Sequence, residues 1–143
     1  MTMSRTRLPV TRPAVTRKFA VPTPLVPALP CGKCGAVADQ APAEKMKFYL
    51  TVGAYEDGRP GEIFLRADKV GSLASGAFDA VAMCVSVGLQ YGIPLEAFTS
   101  KLKGMQFEPR GFTGDPEFPS CSSVLDLVAR FLEKRYAAKE PTS

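Results

Sequence analysis

At 143 residues, 45% of them hydrophobic, the chain is long enough for one domain with a buried core and a tail. The net charge of +4 is local: Arg5, Arg7, Arg12, Arg17, Lys18 and Lys33 are the only charges before Asp39, so a basic arm precedes a mildly acidic remainder. No apolar run of 18 residues and no secretory core follow Met1, which argues against a membrane span and against export; a cytoplasmic chain is expected, with its four cysteines as reduced thiols or metal ligands.

Residues 1–45 hold seven of the thirteen prolines, and Val21-Pro-Thr-Pro-Leu-Val-Pro-Ala-Leu-Pro30 supports neither a helix nor a central strand, because proline lacks the backbone donor both need. The expectation is an extended arm, polyproline-like or docked on a partner, since Leu25, Val26 and Leu29 are unusual in a solvated spacer. Its five positives within the first eighteen residues can meet nucleic-acid phosphates without a fold; a generic basic tail is the plainer reading.

From Met46 the pattern changes. Lys47-Phe-Tyr-Leu-Thr-Val52 and Glu62-Ile-Phe-Leu-Arg66 are rich in β-formers, and Asp57-Gly58 with Gly61 supplies a turn, so a β-hairpin is expected, covered by helices or a partner chain. After a loop at Gly71-Ser-Leu-Ala-Ser-Gly76, the spacing of Phe78, Val81, Ala82, Val85 and Leu89 predicts a central buried helix ending at Gly92. Pro94 opens a second helix through Leu95, Phe98 and Leu102, stopped by Gly104. Met105 to Cys121 is a Gly/Pro-punctuated loop, long enough to be an ordered, functional one. Ser123 caps a last helix running to about Ala138, with Asp126 as an acidic capping-box partner and Arg130, Lys134 and Arg135 toward its carbonyl end. The fold class is α+β, a hairpin or small antiparallel sheet with about three helices: arm 1–45, domain 46–138, tail 139–143.

Chemistry-bearing candidates fall into two groups. Cys31-Gly-Lys-Cys34 has the spacing that lets two thiolates meet one metal, but zinc wants four ligands and the chain has no histidine. Cys84 and Cys121, or a second subunit, would have to complete it, and Cys84 in the central helix reads as a small buried thiol. A redox dithiol and an inert pair are the other readings. The second group is Arg59, Glu62 and Arg66 around the hairpin, with Glu108 and Arg110 of the long loop. Arginine forks suit phosphate or carboxylate, and Tyr55, Phe64, Tyr91, Phe107 and Phe112 offer faces for a base, so a nucleotide pocket is one reading and surface ion pairs the other. Gln90 and Tyr91 stand at the last turn of the central helix, where capping and interface packing are the plain account.

Four strings occur in order: Phe48-Tyr-Leu-Thr-Val-Gly-Ala-Tyr-Glu-Asp-Gly-Arg-Pro-Gly-Glu-Ile-Phe64, Leu89-Gln-Tyr-Gly-Ile-Pro-Leu-Glu96, Phe107-Glu-Pro-Arg-Gly-Phe-Thr113 and Ser122-Ser-Val-Leu-Asp126. Together they resemble the TSCPD domain of vitamin B12-dependent ribonucleotide reductases, and Arg7-Leu-Pro9 with Thr16-Arg-Lys-Phe19 resembles the stretch leading into it. The chain departs from that pattern where Thr-Ser-Cys-Pro-Asp reads Ser120-Cys-Ser-Ser-Val-Leu-Asp126, and where Cys31 to Cys34 are inserted. The resemblance implies an accessory or regulatory module, with no catalytic barrel and no cobalamin site in this chain. Its partner would be a reductase polypeptide or a nucleotide, and it is expected to be a homo-oligomer. An autonomous nucleotide-binding oligomer and a small zinc or dithiol protein are the alternatives, and independent catalysis is not expected without a histidine or a nucleophile beside a base.

Overall fold

A computed structural model of the chain describes residues 3–23, 32–35, 45–68 and 73–137. Three strands, β1 (Ala14–Pro22), β2 (Lys45–Ala54) and β3 (Pro60–Ala67), form one antiparallel sheet in that order. Three helices follow, α1 (Leu73–Gln90), α2 (Leu95–Leu102) and α3 (Val124–Tyr136), with two short paired strands, β4 (Gly111–Phe112) and β5 (Ser120–Cys121), between the last two.

The expected α+β class holds, and the sheet has a third strand. β1 comes from the stretch read as arm, its register pairing Phe19 with Phe48 and Val15 with Val52. Pro13 and Pro22 bracket a proline-free run, and an edge strand tolerates proline at its ends, so the prolines delimit this strand. The segment from Pro24 to Pro30 lies outside the described residues.

One sheet face is the core. Phe19 and Val21 of β1, Phe48, Leu50 and Val52 of β2, and Ile63 and Leu65 of β3 all point inward, the period of two expected of a half-buried sheet. Phe78, Ala82, Val85 and Leu89 of α1 and Val124, Leu127, Val128, Phe131 and Leu132 of α3 cover them. Phe19 meets Phe118 and Phe131 edge-on, with centroids 6.2 and 5.8 Å away. The other sheet face, with Lys18, Tyr49, Phe64 and Arg66, is open.

The hairpin turns through Gly58 at φ 87°, with the Asp57 carboxylate accepting from Arg59 N at 3.0 Å. Beyond it, β3 is an edge strand whose unpaired groups α1 satisfies. The Ser86 hydroxyl accepts from Ile63 N at 2.8 Å and is also placed 2.7 Å from Ala82 O, so one side chain closes the strand edge. Helix α1 starts at Leu73, earlier than the loop expected through Gly76. Its contact with α2 is close because Gly88 has no side chain: a Cβ there would lie 2.3 Å from the Phe98 ring.

The 103–123 connection is ordered by its own hydrogen bonds, as its length suggested. Asp115 accepts from Glu117 N at 2.8 Å and Phe118 N at 3.3 Å, and the Thr113 hydroxyl donates to Phe118 O. Arg17 of β1 holds this loop on the sheet, donating to Asp115 at 2.7 Å and Glu117 at 2.8 Å. Ser123 caps α3 by accepting from Asp126 N at 3.0 Å. Asp126 accepts from Gly104 N at 2.8 Å and Ser122 N at 3.3 Å, tying the end of α2 to the start of α3.

Candidate functional site

Polar chemistry gathers where the N-terminal segment crosses the end of the sheet and the carbonyl end of α1. Gln90, the last residue of α1, is 6% exposed, and its amide is used at both ends. The NH2 donates to Gly61 O at 3.0 Å and the oxygen accepts from Arg5 Nε at 2.7 Å. Thr6 N caps the Gln90 carbonyl at 2.8 Å, relieving the unsatisfied acceptor expected at a helix end. Across the hairpin the Tyr55 hydroxyl donates to Thr6 O at 2.5 Å. Burial holds that phenol above its ordinary pKa despite Arg59 and Arg5 nearby, so the hydroxyl remains a donor.

Gly61 lets the strand and the arm approach: a Cβ there would fall 2.7 Å from the Tyr55 ring and 2.9 Å from Leu8. Arg12 Nε pairs with Glu62, and its Nη1 donates to Pro9 O at 2.9 Å. The result is a pocket of about 240 Å³ lined by Arg5, Arg7, Leu8, Arg12, Glu62 and Gln90. Three guanidinium groups face one carboxylate there. Beside it, Arg59 lies 5.1 Å over the Tyr55 ring and 2.7 Å from Asp57.

Of the residues singled out in the sequence, Arg59, Glu62 and Gln90 therefore come to one end of the molecule. Arg66 does not join them; it lies on the open sheet face beside Tyr49, Thr51 and Phe64. Glu108 and Arg110 pair with each other at 3.0 Å on the long loop. Arg5, Arg7 and Arg12 were legible only as arm charge, since spacing along an extended segment does not tell where it lands.

Tyr91 faces the other way, into an apolar groove of about 530 Å³ with Met3, Met83, Cys84, Val87, Ile93 and Phe98. Met83 is 66% exposed, and Tyr91 and Ile93 are each 39% exposed. Asp79 is the one charge on α1, and among the described residues α1 is the one helix apolar and long enough to cross a membrane, with 33% of it buried. It packs on β3 by one side and shows an apolar surface on the other.

Cys84 corrects the expectation of a buried thiol: it is exposed, because it lies off the Phe78, Ala82, Val85 and Leu89 face that the helical spacing marks and the core covers. Cys121 is the buried one, and burial raises its thiol pKa. Cys34 is exposed, Cys31 lies outside the described residues, and no cluster of three metal-type side chains occurs among the described residues.

The sequence pattern of the TSCPD domain matches residues 22–136. Relatives are vitamin B12-dependent ribonucleotide reductases. That of Streptantibioticus cattleyicolor is 39% identical over 120 residues, covering 84% of this chain and 20% of that protein. That of Streptomyces avermitilis is 39% identical over 128 residues, 90% of this chain and 11% of the relative. That of Rhodopirellula baltica is 37% identical over 128 residues, covering 90% and 10%. The chain thus spans a fifth or less of the length of these relatives. A 128-residue match does not fit within 22–136, and only seven residues follow Tyr136, so it reaches back at least to Thr16 and includes most of β1. No solved structure matches.

Proposed function

The chain belongs to the TSCPD domain family, and on that premise we propose that it is a non-catalytic accessory module of B12-dependent ribonucleotide reduction, acting in the cytoplasm by docking on a reductase polypeptide through the open side of α1. The observation that carries this reading is the charge-free groove of Met83, Val87, Tyr91, Ile93 and Phe98. Contiguous apolar surface of this kind marks an interaction site in a folded domain. In the relatives the matched region is a small part of a far longer reductase chain, which gives the groove a partner of matching ancestry. The chain has no histidine, and the region it matches is a fifth or less of the reductase relatives' length, which fits binding better than catalysis.

Removing Met83, Val87 and Tyr91 the rest of the way from water contributes about 1–2 kcal/mol each, enough for a few anchors to dominate the affinity. The test is association of the purified chain with a purified B12-dependent reductase polypeptide lacking its own TSCPD region, measured by calorimetry. Micromolar binding is expected, and Met83→Asp with Val87→Asp weakens it by more than about tenfold while leaving the chain folded, since Met83 is 66% and Val87 36% exposed. No association up to about 100 µM, or equal binding by the double variant, would overturn the reading. Wild-type chain that instead self-associates through the same groove would assign the face to a second copy.

A further inference from the structure

We infer that the open pocket lined by Arg5, Arg7 and Arg12 beside Gln90 binds the phosphate or diphosphate group of a small ligand. The first reason is charge. Three guanidinium groups line the pocket with Glu62 as their single carboxylate, so two positive charges remain after the Arg12–Glu62 pair. The second is free donors. Arg12 is engaged by Glu62 and by Pro9 O, and Arg5 spends its Nε on Gln90, while Arg7 makes no hydrogen bond or ion pair among the described residues. Two arginine forks thus present unused N–H groups to one pocket, the geometry that suits paired phosphate oxygens.

The third reason is that the walls are held in place before any ligand arrives. Thr6 is fixed at both backbone groups, its N–H on the Gln90 carbonyl and its C=O under the Tyr55 hydroxyl. Gln90 is fixed on Gly61 by its amide, and Leu8 is seated over Gly61. Arg5 and Arg7 therefore project from an anchored backbone, so binding has to order their side chains and not the segment that carries them. At about 240 Å³ the pocket is smaller than the roughly 300–1,000 Å³ of sites that enclose a drug-sized ligand. It takes the anionic group, and the remainder of the ligand stays outside. This site is separate from the α1 groove, so either reading can fail without the other.

Pyrophosphate is the probe, titrated into the full chain and followed by calorimetry, with ATP as a second arm and Arg110→Gln as a charge-matched control away from the pocket. Wild type is expected to bind pyrophosphate with a dissociation constant below about 1 mM. Arg7→Gln and Arg5→Gln each weaken it by about tenfold or more, Arg7→Lys by less, and Arg110→Gln not at all. ATP binding that is lost with the same two variants extends the site to nucleotides; ATP that fails to bind confines it to smaller phosphates. The proposal is overturned by no saturation at about 10 mM pyrophosphate, or by Arg7→Gln and Arg5→Gln that both keep wild-type affinity. Equal losses in Arg110→Gln, or displacement of pyrophosphate by a single-stranded oligonucleotide with the salt dependence of many phosphate contacts, would overturn it too.

Discussion

Replacing Arg17 by alanine tests how β1 and the 103–123 loop are joined. The guanidinium donates to Asp115 and Glu117 and lies 5.5 Å from the Phe19 ring and 5.9 Å from those of Phe118 and Phe131, with its side chain 31% exposed. Cation–π contact at a partly desolvated site contributes about 1 kcal/mol, and the solvent-screened pair with Asp115 adds about 0.5–1 kcal/mol. Arg17→Ala should therefore destabilise the domain by about 2 kcal/mol, a fall in melting temperature on the order of 10 °C for a domain of this size. The effect should also depend on pH. Burial alone would raise the Asp115 pKa, but Arg17 and the N–H groups of Glu117 and Phe118 outweigh it and hold the carboxyl below its ordinary value. A depressed carboxylate stabilises the fold above the unfolded pKa, and that contribution is lost as pH falls through the folded value. Thermal melts from neutral pH downward should thus show wild type and Arg17→Ala converging in acid. A variant that melts within about 2 °C of wild type at neutral pH, or a gap that widens in acid, would refute the clamp.

Two further perturbations follow from the same physics. Gly88→Ala places a methyl against the Phe98 ring, and overpacking of this kind costs about 1–3 kcal/mol; an unchanged melting temperature would mean that α2 moves aside freely. Ser86→Ala strips the β3 edge of its partner, so the Ile63 amide should exchange faster and stability fall by about 1–2 kcal/mol, whereas unchanged exchange would show another group covering the edge.

The hairpin, α2 and the cap of α3 were legible because each carries a local signature: alternation around Asp57-Gly58, Pro94 before Leu95, Ser123 before Val124. β1 was hidden because its inward positions include Arg17, which breaks the apolar alternation for the sake of the loop it holds. The exposure of Cys84, by contrast, was legible: it lies off the Phe78, Ala82, Val85 and Leu89 period that marks the covered face of α1, and a central helix buries one face and not every residue. At the candidate site, Glu62 and Gln90 stood out by their strings, while Arg5, Arg7 and Arg12 acquire their position only through Thr6, Tyr55 and Gln90, contacts between residues far apart in the chain.

Cys84 lies inside the α1 groove and Cys34 far from it in sequence, both exposed, so the chain carries its own footprint and its own reference. Alkylation of the two thiols, timed by mass spectrometry with and without a saturating B12-dependent reductase polypeptide, reads the docking face directly. Docking through α1 predicts that Cys84 becomes slow to react in the complex while Cys34 keeps its rate. A complex that forms and leaves Cys84 reacting as fast as in the free chain would contradict it.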